Sequence, residues 1–540
     1  MKKLFLTLFT AIVGIALWAG ENLLPDLTQW SKDGAGNFVV EADSASITHK
    51  GGQKAASLQK KIQVEGGNYY IFSGKIKKTS ENTKPSVSFI ARTEKNAWLF
   101  QYIAPGINEA KVGEWQEFEI RAFLTPIADN ITAIIGSYKD GIEIKDIKFE
   151  KTDWKNGRDE NAPKLEYWIN MDYNDNIAYS HNLGLNGYEE KDIVKYFQDC
   201  KKAGVTGVQW RISVFGHVLY HSKGAATVFP GSMDVSKLSG KAALVADTIK
   251  RIDPLAIAVR EAKKNGIELY VWLTLSDEGY KRDVPNYCFP EFLIQNPDCH
   301  LLDRQGKPLY GTLCYNEPKA REYRLNMIKE ILEYGADGLY LCTRSHSSVF
   351  GSDKGDDYGF NKAIVDEYKK RYGVDILTQD FDVVKWRELK AEGFDTLIKE
   401  ISELAKAKNQ KVRLGVASMS LSNGILGGNW GKTPLHWQKF LANDWIDSIV
   451  DGQYNVEPYF AGRENNRFRC AAKAHQKLYF WAQMVRYGER VYSYEELTKQ
   501  AEFFAFYGAN GAIYHESVNL EEAPNKYLFP LGVWYSEFDK

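Results

Sequence analysis

The sequence predicts an α/β chain: a (β/α)8 TIM barrel preceded by an all-β sandwich. Three observations carry that expectation. Residues 21–152 hold short alternating polar and apolar runs, separated by Gly, Asn, Asp and Pro. From Leu165 onward, eight short apolar runs alternate with longer amphipathic stretches, the pattern of βα units around a parallel sheet. Between them, residues 153–163 are polar, contain Gly, Asn and Pro, and read as a linker.

The chain opens on Met1-Lys2-Lys3, followed by the apolar run Leu4 to Ala19. That run is too short to span a bilayer comfortably, which takes about 20 apolar residues. Small residues, Ala19 and Gly20, then precede the polar Glu21-Asn22. Residues 1–20 therefore read as a cleavable signal peptide. The expectation is a secreted or periplasmic protein with no membrane insertion after signal cleavage. An uncleaved anchor is the alternative.

In residues 21–152 the clearest strands are 67–76, 86–91, 117–120, 131–137 and 142–149. Several short strands at such spacing suggest a sandwich. The barrel region, 164–540, supplies strands at Leu165–Met171, Gly207–Ser213, Ile267–Leu273, Gly338–Thr343, Val412–Ser418, Ile446–Gly452, Leu478–Met484 and Ala512–Glu516. Helical periodicity marks Ile193–Ala203, Pro254–Lys264, Pro318–Tyr334, Phe394–Lys406, Pro434–Leu441 and Leu497–Tyr507. Pro254, Pro318 and Pro434 sit at or near helix starts, where a missing N–H costs nothing.

Composition narrows the function. The 540 residues carry 69 Lys+Arg and 70 Asp+Glu, a formal net charge of −1, which argues against a nucleic-acid binder. There is no G-x-G-x-x-G or P-loop pattern for a nucleotide and no His-rich spacing for a metal, so no cofactor or metal is expected. The six cysteines are too few for a disulfide scaffold, though Cys288, Cys299 and Cys314 share one segment that leaves room for a bridge. The 14 Trp, 31 Tyr and 27 Phe suit cores, and also surfaces that stack on sugar rings.

Barrel active sites lie at the C-terminal ends of the strands. Side chains alternate between the lumen and the helices. If the apolar set faces the helices, the lumen receives Trp168, Asn170 and Asp172 from the first strand and Gln209, Arg211 and Ser213 from the second. Tyr270, Trp272 and Thr274 follow from the third, with Asp277 and Glu278 just beyond. The fourth adds Tyr340, Cys342 and Arg344, the seventh Tyr479, Trp481 and Gln483, and the eighth Ala512, Tyr514 and Glu516. Asp451 closes the sixth strand, whose parity is ambiguous, with Tyr454 beyond it. The inferred mouth collects acids, two arginines and aromatics, which is the mixture glycoside hydrolysis needs: one carboxyl group to protonate the leaving oxygen, a second as nucleophile or base. Glu516 is the first catalytic candidate, Asp451 the second, and Asp277 and Glu278 the third. Each acid by itself also reads as a cap or an ion-pair partner. Asp172, Arg211, Trp272, Arg344, His346, Tyr454, Trp481 and Gln483 are candidate substrate-binding residues. Arg211 and Arg344 either brace carboxylates or bind an anionic sugar, since a guanidinium fork matches a carboxylate or sulfate. Asp337 precedes the fourth strand and reads as structural.

Two resemblances add to this. Asn22-Leu23-Leu24-Pro25, Tyr70-Ile71-Phe72-Ser73-Gly74, Gly113-Glu114-Trp115-Gln116 and Ile144-Lys145-Asp146-Ile147-Lys148-Phe149 resemble carbohydrate-binding modules of jelly-roll type. Asn316-Glu317-Pro318, Arg321-Glu322-Tyr323 and the run Tyr334-Gly335-Ala336-Asp337-Gly338-Leu339-Tyr340-Leu341 resemble the family 10 glycosylhydrolase-like barrel proteins, over roughly Leu165 to the C-terminus. The resemblance implies a TIM-barrel glycoside hydrolase acting on a polysaccharide or oligosaccharide. Such proteins commonly carry an Asp at the end of the fourth strand, where this chain has Cys342. Another carboxylate then takes the role, or the barrel is a non-catalytic glycan-binding scaffold, which is the alternative reading.

Overall fold

The structure is a computed structural model that describes residues 22–104, 106–108, 110–152, 164–279, 289–343, 352–417, 420–452, 464–465, 467–469, 471–486, 490–515 and 517–538. The expected signal segment and linker lie outside the described residues. The chain forms two compact units, one holding the residues before Lys164 and the other most of the chain from Lys164 onward.

The first unit has two five-stranded antiparallel sheets. One runs in the order Ser31–Asp33, Ala56–Gln63, Asn130–Ser137, Pro85–Arg92, Trp98–Ile103. The other runs Gly36–Val40, Ser44–His49, Gly141–Thr152, Tyr69–Lys78, Trp115–Phe123. Alternate side chains from both sheets, among them Leu58, Val87, Phe89, Ile135, Ile47, Phe72, Ile120 and Ile144, meet in one apolar core. That is the period-two burial expected of a sandwich. The strands at 31–63 and 98–103 were not marked by the sequence reading, because they are short or carry runs such as Gln59-Lys60-Lys61 that mask the alternation.

In the second unit, eight parallel strands close into a barrel: β1 Glu166–Met171, β2 Gly207–Arg211, β3 Glu268–Thr274, β4 Gly338–Cys342, β5 Lys411–Ala417, β6 Ser448–Gly452, β7 Lys477–Gln483 and β8 Gly511–His515. Each lies within two residues of its expected position. The helices that matter for the site are α1 Tyr173–Ala178, α2 Glu190–Lys202, α3 Gly240–Arg251, α4 Pro254–Asn265, α5 Pro318–Leu332, α6 Val383–Lys406, α7 Tyr494–Phe506, α8 Ser517–Glu522 and α9 Leu528–Phe538. The sequence reading began α6 only at Phe394. The helix instead starts after Asp382, whose carboxylate accepts from the N–H of Val384 and Lys385, and it continues through Gly393. Gly393 is there because a Cβ would come within 2.6 Å of the Asn316 backbone, not because the helix breaks. α3 and α9 carried no expectation.

The lumen is filled from the bottom by side chains of the four odd strands: Trp168, Tyr270, Arg413 and Tyr479. The Arg413 guanidinium carbon lies 4.0 Å from the Trp168 ring centre and 4.1 Å from those of Tyr270 and Tyr479. Its Nε donates to Ser448 Oγ at 3.0 Å. Among the described residues no carboxylate pairs with it, and cation–π contacts of this kind hold the buried guanidinium instead. Higher up, Trp272, Tyr340, Cys342, Val450, Trp481 and Ile513 continue the same cluster.

The residues that open the even strands make this packing fit. Side chains of Thr206, Asp337, Asp447 and Asn510 accept from the backbone N–H of Tyr167, Leu269, Val412 and Leu478, the second residue of each odd strand. Asp337 is therefore structural, as its position implied. The next residue is small in every case: Gly207, Gly338, Ser448 and Gly511. A Cβ on Gly207 would lie 2.4 Å from the Trp168 ring, and one on Gly338 would lie 3.0 Å from the Tyr270 ring.

Replacing Gly207 by Ala is therefore expected to destabilise the protein by about 1–3 kcal/mol through overpacking. Gly240→Ala, with nothing within 4 Å of its Cβ, should be neutral or slightly stabilising. Urea denaturation of both variants checks the contrast; equal midpoints would refute it.

Candidate active site

At the C-terminal rim of the barrel, Arg211, the last residue of β2, reaches to both sides. Its Nη1 donates to Asp172 Oδ2 at 2.6 Å and its Nη2 to Asp277 Oδ2 at 3.0 Å. All three residues are at most 4% exposed. Asp172 follows β1 and precedes α1, and Asp277 stands three residues beyond β3. The guanidinium also lies 5.4 Å from the Trp272 ring. The Arg211 charge is held up by the two carboxylates against the cost of its own desolvation. Of the two readings of Arg211, bracing of carboxylates is the one that the geometry matches.

Glu278 follows Asp277 but turns elsewhere. It pairs with Arg324 of α5, both fully buried, and burial pushes its carboxyl upward against the pull of that arginine. The adjacent acids thus part: Asp277 belongs to the rim, Glu278 to the packing between the loop after β3 and α5. Below the rim, Trp272 and Trp481 meet edge to face at 5.8 Å, and His515 lies 4.5 Å from Trp481 and 6.1 Å from Trp272. Both tryptophans are buried, so their rings form the floor beneath the Arg211 cluster.

The orientation expected in β8 is corrected, and the ambiguous parity of β6 is decided. In β8 the lumen receives Ile513 and His515, not Ala512 and Tyr514. Tyr514 instead meets Tyr167 at 5.4 Å, and its hydroxyl lies 3.3 Å from that of Tyr535 in α9. The sequence rule took aliphatic residues as the outward set, but the layer beneath α9 is built of tyrosines. Glu516 had been assigned inward by that same rule, and it lies outside the described residues. Asp451 pairs in register with Phe480, whose ring stacks on Phe504 of α7 at 4.7 Å, while its neighbour Val450 is in the lumen. Asp451 is fully buried and belongs to the helix-facing layer. Arg344, His346 and Tyr454 lie outside the described residues. Gln483 ends β7, and its side chain is likewise outside the description. Cys299 and Cys314 are buried and unbridged, as are Cys200 and Cys342.

Several residues near the rim escaped the sequence reading. Beyond β2, Ser213–Val214 and His217–Val218 form a small hairpin whose turn is Phe215-Gly216, with φ of +48° and +78°. Two positive φ values mark a turn that favours Asn-Gly, so Phe215 sits where its side chain is costly. The F-G pair was the available signal. Phe215 lines a cavity of about 250 Å3 together with Asn174, Asp175, Tyr179, Phe229 and Lys241. A second cavity, of about 210 Å3, is lined by Leu183, Leu185, Tyr196, Leu528 and the carboxyl of Glu521. Glu521 accepts from Tyr188 OH at 2.9 Å and from Asn176 Nδ2. Asn176 also accepts from Ser517 Oγ at 2.8 Å, and its own N–H donates to the Asp172 carbonyl. The short helix that Asp172 starts is thus anchored at Glu521. Among the described residues no cluster of His, Cys, Asp and Glu is arranged to hold a metal ion.

No family model and no curated protein matches the chain. Solved structures do show likeness. The PgaB (BpsB) glycoside hydrolase domain from Bordetella bronchiseptica is 12% identical, over 68% of this chain and 98% of that one, with a TM-score of 0.45. The CBM22-1-GH10 modules of the Clostridium thermocellum endo-1,4-β-D-xylanase 10B are 10% identical, over 92% and 90%, at 0.29. The GH20 exo β-N-acetylglucosaminidase from Vibrio harveyi is 8% identical, over 64% and 44%, at 0.34. These neighbours are glycoside hydrolases, one of them with a carbohydrate-binding module.

Burial raises the Glu521 carboxyl from about 4.5 to about 8, although the bonds from Tyr188 and Asn176 pull it back. A carboxyl raised in the folded state binds its proton more tightly there than in the unfolded chain. Its contribution is complete below about pH 4.5 and is lost as the pH rises through about 8. Melting temperatures of the wild type are expected to fall relative to those of Glu521→Gln across that window. A constant difference between the two would contradict the assignment.

Proposed function

We propose that the chain is an exported glycoside hydrolase whose barrel rim carries the reacting carboxylates, with the N-terminal sandwich as a carbohydrate-binding module. One observation supports the reading above others: carboxylates from the ends of β1 and β3 are gathered on a single buried guanidinium at the C-terminal rim, the end where barrel enzymes act. In this reading Asp277 is the carboxylate of the chemical step, serving as nucleophile or as the base that activates water. Arg211 and Asp172 are its positioning residues. Glu516, which directly follows β8 in sequence, is the acid that protonates the leaving oxygen. Export follows from the expected signal segment at residues 1–20.

A second reading is favoured by Cys342. The end of β4 holds a buried cysteine where the resembling family carries an acid. In that reading the barrel binds glycan without cleaving it.

The test is reducing-end release from a panel of polysaccharides. Asp277→Asn and Glu516→Gln should each lower activity by at least about a hundredfold, the scale of general acid–base catalysis. Undiminished release by both variants would overturn the residue assignment. Tight glycan binding by the wild type, with no product formed, would establish the second reading.

A further inference from the structure

The Arg211 cluster leaves a question about charge. Arg211 is taken up by Asp172 and Asp277, so it is not available to an anionic substrate. Among the described residues, a cation without a carboxylate partner lies in the next segment. Lys241, in the first turn of α3, lines the cavity of about 250 Å3 introduced above, and its ammonium sits 3.5 Å from the Tyr179 ring centre. Among the described residues no carboxylate stands within ion-pair distance of it.

The cavity is walled by segments that directly follow the rim residues in sequence. Its wall residues Asn174, Asp175, Ala178 and Tyr179 belong to α1 or adjoin it, and α1 begins directly after Asp172. Val214 and Phe215 belong to the hairpin that begins two residues after Arg211. Asp175 lies close enough to Arg211 to raise its charge state. The volume is smaller than the roughly 300 Å3 at which sites for drug-sized ligands begin, which suits a single ring. Phe215, Phe229 and the 40% exposed Tyr179 give that ring apolar faces. On the same wall Asn174 Nδ2 donates to Asp175 Oδ1 at 3.1 Å, and Lys241 offers one cation.

We propose that this cavity is a subsite for one acidic sugar residue of the substrate, with a carboxylate or sulfate group paired to Lys241 and the ring held between Phe215 and Tyr179. The proposal rests on the glycan-acting reading of the rim. It makes Lys241 the residue that selects charge, in the place that the sequence reading offered to Arg211.

The test uses the full chain and intrinsic fluorescence titrations with galacturonate oligomers, sulfated galactose oligomers and their neutral counterparts. Wild type is expected to bind at least one acidic series about tenfold more tightly than its neutral match, the scale of one charge-assisted contact. That preference should shrink with added salt. Lys241→Met should abolish the preference and Lys241→Arg restore it, while Phe215→Ala should weaken acidic and neutral ligands alike. Lys241 is exposed, so its replacement leaves the fold in place. Preference for the carboxylated or for the sulfated series tells which anion is used. Equal binding of acidic and neutral oligomers, or a preference unchanged in Lys241→Met, overturns the proposal. Hydrolysis without charge preference refutes the subsite alone, whereas charge preference without any hydrolysis refutes the catalytic reading and leaves the subsite standing.

Discussion

A closed barrel of eight strands has to fill its own lumen, and here it does so with rings and one guanidinium. The fit depends on a two-residue pattern repeated at the start of every even strand. Thr206-Gly207, Asp337-Gly338, Asp447-Ser448 and Asn510-Gly511 each place a side-chain acceptor against the backbone of the preceding odd strand, then remove the bulk of the next side chain. The acceptor ties down an N–H that would otherwise stay unpaired at the barrel base. The small residue admits the large odd-strand side chains beside it. Arg413 then closes the layer between three rings. The aspartate and glycine of the Tyr-x-x-Asp-Gly run, which carried the family resemblance, acquire a physical reason: one caps Leu269 and the other makes room for Tyr270.

Everything above that floor inherits its position. Because Trp272 and Trp481 fill the lumen beneath the rim, the Arg211 cluster has no solvent below it and must satisfy its charge laterally. One guanidinium can do so for two carboxylates only if β1, β2 and β3 hold their registers. Removing one partner of such a buried group costs far more than the group contributes in water. The same demand explains why Arg211 is a brace. A desolvated arginine that already has two carboxylates gains little from a third, which is why the proposed anion contact falls to an exposed cation, Lys241.

The strands were legible because period-two alternation and short length are local properties, and all eight were found within two residues. Helices were legible where a proline opened an amphipathic run, as in α4 and α5. Where a glycine interrupted one, in α6, the reading failed, because Gly393 answers to Asn316, which is far away in sequence. At the site, Asp172, Arg211 and Asp277 were all named as candidates, yet nothing in their spacing said that they touch. Glu278 looked equivalent to Asp277 and proved to serve Arg324. Tyr514 was placed in the lumen because parity was read from hydrophobicity, and this barrel has tyrosines outside and an arginine inside; the ambiguous parity of β6 is decided only by the structure, where Val450 enters the lumen and Asp451 does not.

The sequence by itself determined the class of fold, the strand positions and the stock of chemical groups near the strand ends, since each follows from composition and short-range periodicity. Only the tertiary structure decided which groups meet. Residues 172, 211 and 277 come together through barrel closure and strand register, and the cavity beside them through a hairpin and two helices from separate βα units. Those contacts join distant parts of the chain, and their energy comes from burial that no local run of residues contains.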